Sequence, residues 1–122
     1  MRSSAISKGT TEALVAMYRA AAVAYGCAQV AANHREANRQ YDCIAAIYRA
    51  LRRRGPDAQK MLTPLLTDEE AEVACWAAAH ALEFAPDLGV TVLRALAPQR
   101  GFVGLDAMMV LEQWEAGALK FP

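Results

Sequence analysis

The chain has 122 residues and a formal net charge of zero, from 13 basic and 13 acidic residues, and 55% of it is hydrophobic. That length fits one domain, able to bury a core without a disulfide or metal staple. The hydrophobic share excludes a disordered chain. Much of the apolar content is alanine, the best helix former, and no stretch sustains the alternation of a half-buried strand, so the expectation is helices throughout.

Charge is unevenly spread along this neutral chain. From Met1 to Met61 ten basic residues stand against four acidic ones, a net of +6, and from Leu62 onward three stand against nine, a net of −6. The asymmetry suggests head-to-tail or antiparallel contact between copies. Cys27, Cys43 and Cys75 are 16 and 32 residues apart, spacings that fit neither a zinc site nor a CxxC redox motif. They are expected to be small buried hydrophobes in a reducing compartment. Leu14 to Cys27 is apolar and ends in Gly26-Cys27, faintly like a lipoprotein cleavage site. Glu12 and Arg19 interrupt that run, and Tyr25 is bulky where small residues are required. No window of 18 uncharged apolar residues occurs, so no membrane-spanning helix is expected, and the expected location is cytoplasmic.

In chain order, residues 1–9 are small and polar and are read as a flexible tail preceding a single helical domain over 10–122. A first helix is expected from Thr10 or Thr11 to about Ala32, with Leu14, Tyr18, Ala21, Ala22 and Tyr25 on its buried face. A single helix from Thr11 to Arg54 would be about 66 Å long, too long for a compact domain of this size. The expected break is Asn33, with Glu36 three residues on, in the spacing of a capping box. A second helix then runs from His34 to about Arg54 and buries Tyr41, Ile44, Tyr48 and Leu51, with Gly55 and Pro56 as its stop.

A short third helix is expected over about 57–66, kinked at Pro64. The fourth, capped by Thr67 or Asp68, carries Val73, Trp76, Ala77, His80, Ala81 and Phe84 at helical spacing and ends at Ala85-Pro86. A fifth runs from about Leu88 to Ala97, with Leu88, Val92, Leu93 and Leu96 inward. The sixth runs from about Val103 to Ala116 along Ala107, Val110, Leu111 and Trp114, with Asp106 as a candidate cap and Gly117 as the stop.

The run Leu65-Leu66-Thr67-Asp68, followed by Val73 and Ala77-Ala78-Ala79-His80-Ala81-Leu82, resembles a HEAT repeat. The basic residue often found after that valine is here Ala74. The span from Thr11 to Gly117 also resembles a family of small bacterial proteins catalogued only as a domain of unknown function. Carrying that likeness are Asn38-Arg39 with Asp42, Leu51-Arg52 with Arg54-Gly55, Pro64-Leu65-Leu66, Val73, Ala77-Ala78 through Ala85-Pro86, Leu93, and Asp106-Ala107 with Met109 and Leu111. The resemblance implies an all-α fold, a six-helix HEAT-like (ARM-type) right-handed helical stack in which a long helical hairpin is followed by two short helix pairs. No activity or catalytic residue comes with it.

Arg49, Arg52, Arg53 and Arg54 form the densest basic run, and with Arg35, Arg39 and Lys60 they could meet phosphates or an acidic protein surface. Complementing the C-terminal helix dipole accounts for the run equally well. Asn38 and Asp42, at i and i+4, either fix the packing of the second helix or belong to a binding surface. The candidate interaction surface is therefore Arg35, Asn38, Arg39, Asp42, Arg49, Arg52 and Arg53.

No catalytic, metal or cofactor set is recognised. Cys75 and His80 are five positions apart, about 140° around a helix, so they make no dyad. The pairs Glu69/Glu72 and Glu112/Glu115 lack the E-x-x-H motifs of a di-metal bundle. The expectation is a protein-protein interaction module without catalytic activity, binding another protein or itself as a homodimer. The alternatives are a nucleic-acid-associated protein using the arginine run, or an immunity-type protein that neutralises a toxin.

Overall fold

In the computed structural model, residues 6–122 are described. Six α-helices and one 3₁₀ helix have both ends among them, and none of the described residues lies in a strand. The chain divides into two compact units, one running to Leu62 and taking in Pro122, the other spanning Thr63–Phe121.

The first unit is built on a helical hairpin of α1 (Thr11–Val30) and α2 (His34–Arg54), followed by the single turn α3 (Pro56–Lys60). Thr10 starts α1 by accepting a hydrogen bond from the Ala13 amide at 3.1 Å, and Asn33 starts α2 by accepting one from the Glu36 amide at 3.1 Å. Each satisfies an amide that the first helical turn leaves without a partner. Between the helices Ala32 takes φ +55°, a left-handed conformation that turns the chain back within three residues. The helices are antiparallel: Arg54 at the end of α2 donates to Thr11 Oγ1 at the start of α1, while the Tyr25 and Tyr41 rings meet at 6.5 Å near the turn.

Leu14, Tyr18, Ile44, Ile47, Tyr48 and Leu51 are fully buried in this unit. Tyr48 keeps its hydroxyl satisfied by accepting from Gln59 Nε2 at 3.0 Å, which anchors α3 to α2. Tyr41, expected inside, is 52% exposed; it shares the face of Tyr48 but lies about two turns nearer the hairpin turn, where its ring meets Tyr25. Gly55 takes φ +114° and stops α2, and Pro56 opens α3. The tail read over 1–9 lies partly outside the described residues. Of the remainder, residues 6–8 form a helical turn and Ile6 is buried.

Instead of one kinked helix over 57–66 there are two segments, α3 and the 3₁₀ helix Thr63–Thr67. Pro64 supplies no amide hydrogen and disfavours helical geometry at Thr63. The intervening amides of Met61 and Leu62 bond only three residues back, to Ala58 and Gln59.

The second unit contains that 3₁₀ helix, α4 (Ala71–Phe84), α5 (Pro86–Leu96) and α6 (Phe102–Glu115). Helix α4 lies against the 3₁₀ helix, α5 and α6. It starts three residues after Asp68, whose carboxylate accepts from the Glu70 amide at 2.9 Å and so shapes the turn before the helix rather than capping it. The core is small: Ala74, Cys75, Ala78, Leu82, Leu93, Leu96 and Ala107. Small side chains allow close approach of backbones. A Cβ on Gly89 of α5 would stand 2.7 Å from the Ala78 carbonyl oxygen of α4, and one on Gly104 of α6 would overlap the Gln99 carbonyl. Pro86 occupies the first position of α5, so that helix begins two residues before the expected Leu88, which is itself half exposed.

Candidate functional site

On α2, side chains three, four and seven positions apart share a face. Arg35, Asn38, Arg39, Asp42, Arg49 and Arg53 fall within about 100° of arc and along about 27 Å of axis, and all six are exposed. The opposite face carries Ile44, Ile47, Tyr48 and Leu51 into the core. Six of the seven surface residues read from the sequence thus form one stripe, and Arg52 stands apart. Its guanidinium donates to the Pro122 carbonyl and lies 5.5 Å from the Tyr48 ring centroid, a cation–π contact.

The stripe's charge is graded. Arg39 donates from Nε and Nη2 to the two carboxylate oxygens of Glu36, each at 2.8 Å, and the same carboxylate accepts from Gln40 Nε2. Glu36 thereby compensates Arg39. Among the described residues, the side chains of Arg35, Asn38, Asp42, Arg49 and Arg53 make no hydrogen bond or ion pair. Asn38 and Asp42 therefore belong to the surface, not to helix packing.

Arg54, read as part of the basic run, has another task. Its guanidinium donates to the carbonyls of Ile6, Ser7 and Gly9 and to Thr11 Oγ1, at 2.6–3.4 Å. The segment entering α1 is clamped by it. No sequence signal marks this, because most of the acceptors are backbone carbonyls, 45–48 residues away. Of the densest basic run, then, only Arg49 and Arg53 present uncommitted charge.

In the second unit, Glu72, Cys75 and Asp106 lie in one another's electrostatic field. Burial, with the charge of Asp106, pushes the Glu72 carboxyl up to about 7. Burial also raises Asp106. Burial first, then Glu72 and Asp106, pushes the Cys75 thiol up to about 12. Cys75 donates weakly towards the Val103 carbonyl oxygen at 4.0 Å, and the raised thiol favours the protonated form. Asp106 sits in the second turn of α6, and Gly101, not Asp106, occupies the capping position. His80 is buried with its ring 5.9 Å from that of Trp76. Among the described residues no three His, Cys, Asp or Glu side chains group as metal ligands.

Cys43 and Cys75 are buried as expected, whereas Cys27 is exposed, near the end of α1. By length and composition α1 is apolar enough to cross a membrane, its two charged residues being too few to disqualify it. The core helix of a soluble protein passes the same test, and Leu14, Tyr18, Ala21, Ala22 and Ala28 of α1 are buried.

A feature the sequence reading missed lies on α6. Phe102, Leu105, Met108 and Met109 are 44–53% exposed, on the side away from buried Ala107 and half-buried Val110, Leu111 and Trp114. The spacing i, i+3, i+7 of Phe102, Leu105 and Met109 was visible in the sequence. It was hidden by a second apolar stripe on the same helix, which took the core assignment.

The chain is an all-α protein. It is similar over 96% of its length to the protein RPA1889 from Rhodopseudomonas palustris CGA009, whose crystal structure superposes with a TM-score of 0.88 at 26% identity over 98% of that chain. No family model matches the chain, and no curated protein does.

Proposed function

We propose that the chain is a cytoplasmic protein-interaction module without catalytic activity, which holds an acidic surface of another protein on the exposed face of α2. The reading is carried by one observation: Arg35, Asn38, Asp42, Arg49 and Arg53 line a continuous exposed stripe with no partner for their side chains among the described residues. Long cationic side chains held on a rigid helix steer association with an oppositely charged surface. A HEAT-like stack, which the sequence resembles, is a type of fold that presents helix faces to other macromolecules.

Nucleic acid fits less well. Phosphate binding favours an uninterrupted cationic track. Here Asp42 sits in the middle of the stripe, Glu36 compensates Arg39, and Arg52 and Arg54 are committed to carbonyls. The test is affinity capture by the tagged full chain from cells of its source, with and without nuclease, read by mass spectrometry. One stoichiometric protein that survives nuclease and dissociates as salt is raised is the expected result. Recovery of nucleic acid alone, lost on nuclease treatment, would overturn the reading.

A further inference from the structure

Helix α6 has apolar residues on both sides. One side covers α4 and α5, and the other presents Phe102, Leu105 and Met109 within about 60° of arc, flanked by Met108. Half of four large side chains amounts to roughly 400 Å² of exposed apolar surface, within the ~300–600 Å² of the largest patch on an ordinary monomer, which is often functional. Standard interfaces bury about 800 Å² per partner, so this patch can form the centre of a small interface with the helix flanks as its rim.

The charges at the two ends of the stripe say what covers it. Arg100 precedes α6 and Glu112 lies in its last turns, on the exposed side. Both are exposed, and neither makes an ion pair among the described residues. Positive charge at the N-terminal end and negative at the C-terminal end each oppose their own helix dipole. A second α6 laid antiparallel reverses that. Its C-terminal dipole and Glu112 come to Arg100, and its N-terminal dipole and Arg100 come to Glu112. A parallel pair would set like charges together at both ends.

We infer that the exposed face of α6 binds a second copy of this chain, through an antiparallel α6–α6 contact about a two-fold axis near Leu105. Phe102 then lies beside the partner's Met109, Leu105 packs on the axis, and Arg100 meets the partner's Glu112. An isologous contact of this kind closes on itself and stops at two. The interface is small, so the dimer forms reversibly in the micromolar range. It is independent of the α2 stripe, and the two can fail separately.

The experiment is sedimentation of the full chain at low salt over about 1 to 300 µM, a range that brackets the affinity expected of so small an interface. The mass should rise from 13.2 kDa towards twice that value as concentration increases. Leu105→Glu should weaken dimerisation at least ~10-fold, by placing charge on the axis. Arg100→Glu and Glu112→Arg should each weaken it about 3-fold or more, and the double exchange should restore it, since the pair is only reversed. These positions are exposed, and unchanged helical circular dichroism confirms that the variants fold. Arg35/Arg49/Arg53→Glu should leave the dimer intact, which separates this inference from the function proposed for α2. A monomer at every concentration, a Leu105→Glu variant that dimerises like the parent, or an exchange without rescue overturns it.

Discussion

The two units solve the same problem with different side chains. In the first, two helices of about twenty residues are held apart by Tyr18, Tyr48, Ile44, Ile47 and Leu51, and polar groups close the gaps: Gln59 on Tyr48, Arg54 on the carbonyls that lead into α1. In the second, alanines and glycines bring shorter helices close, and two carboxyls are crowded in each other's field. Glu72 and Asp106 are pushed towards their neutral forms by burial. One unit gains stability from large side chains that fill space, the other from the absence of side chains that would occupy it. Each also presents a different surface, a charged stripe on α2 and an apolar one on α6.

The largest test of that contrast pairs opposite substitutions. Leu51→Ala empties a fully buried site in the first unit and should cost about 3 kcal/mol. Gly104→Ala adds one methyl to the second and should cost about 2–3 kcal/mol, because its Cβ would overlap the Gln99 carbonyl, even though alanine is the better helix former by about 1 kcal/mol. Urea unfolding monitored by circular dichroism measures both. A neutral or stabilising Gly104→Ala would break the comparison.

Polar burial gives the next test. Glu72 binds its proton more tightly folded than unfolded, with the carboxyl raised from 4.5 to about 7. Its contribution is complete below about pH 4.5 and lost as pH rises through about 7. Partial exposure screens the effect, so stability should fall by about 1–2 kcal/mol between pH 5 and pH 8, and Glu72→Gln should flatten that slope and gain the difference at pH 8. Tyr48→Phe in the first unit should instead cost about 1–2 kcal/mol at every pH, since Gln59 loses a buried acceptor. Unfolding curves at the two pH values distinguish a crowded carboxylate from a satisfied hydrogen bond.

The smallest expected effect is Arg39→Ala. Its pairing with Glu36 is bidentate but exposed and screened by solvent, so the thermal unfolding midpoint should not move measurably.

Local signals in the sequence read well where the structure answers to local rules. Thr10, Asn33, Gly55, Pro56 and Pro86 punctuate the helices because caps and ring constraints act within a few residues. The stripe on α2 was legible because its buried face is strongly apolar, which leaves one solution for the opposite face. Helix α6 gave no such contrast. Two apolar stripes on one helix cannot be ranked by period alone, so Phe102, Leu105 and Met109 went unnoticed. Tyr41 and Leu88 share helical spacing with buried neighbours, yet each is half exposed, because period alone does not say where along a helix the covering partner ends. Contacts such as Arg54 with the carbonyls of Ile6 and Gly9 depend on the antiparallel hairpin, and no spacing announces them.

The central claim is that the charged stripe of α2 is the functional surface, and parallel affinity capture tests it most directly. Three full-length proteins, the parent, Arg35/Arg49/Arg53→Glu on α2 and Leu105→Glu on α6, are used as bait under nuclease treatment. The account predicts that one stoichiometric protein is retained by the parent and by the α6 variant and lost by the α2 variant. A partner held equally by the α2 variant would contradict it.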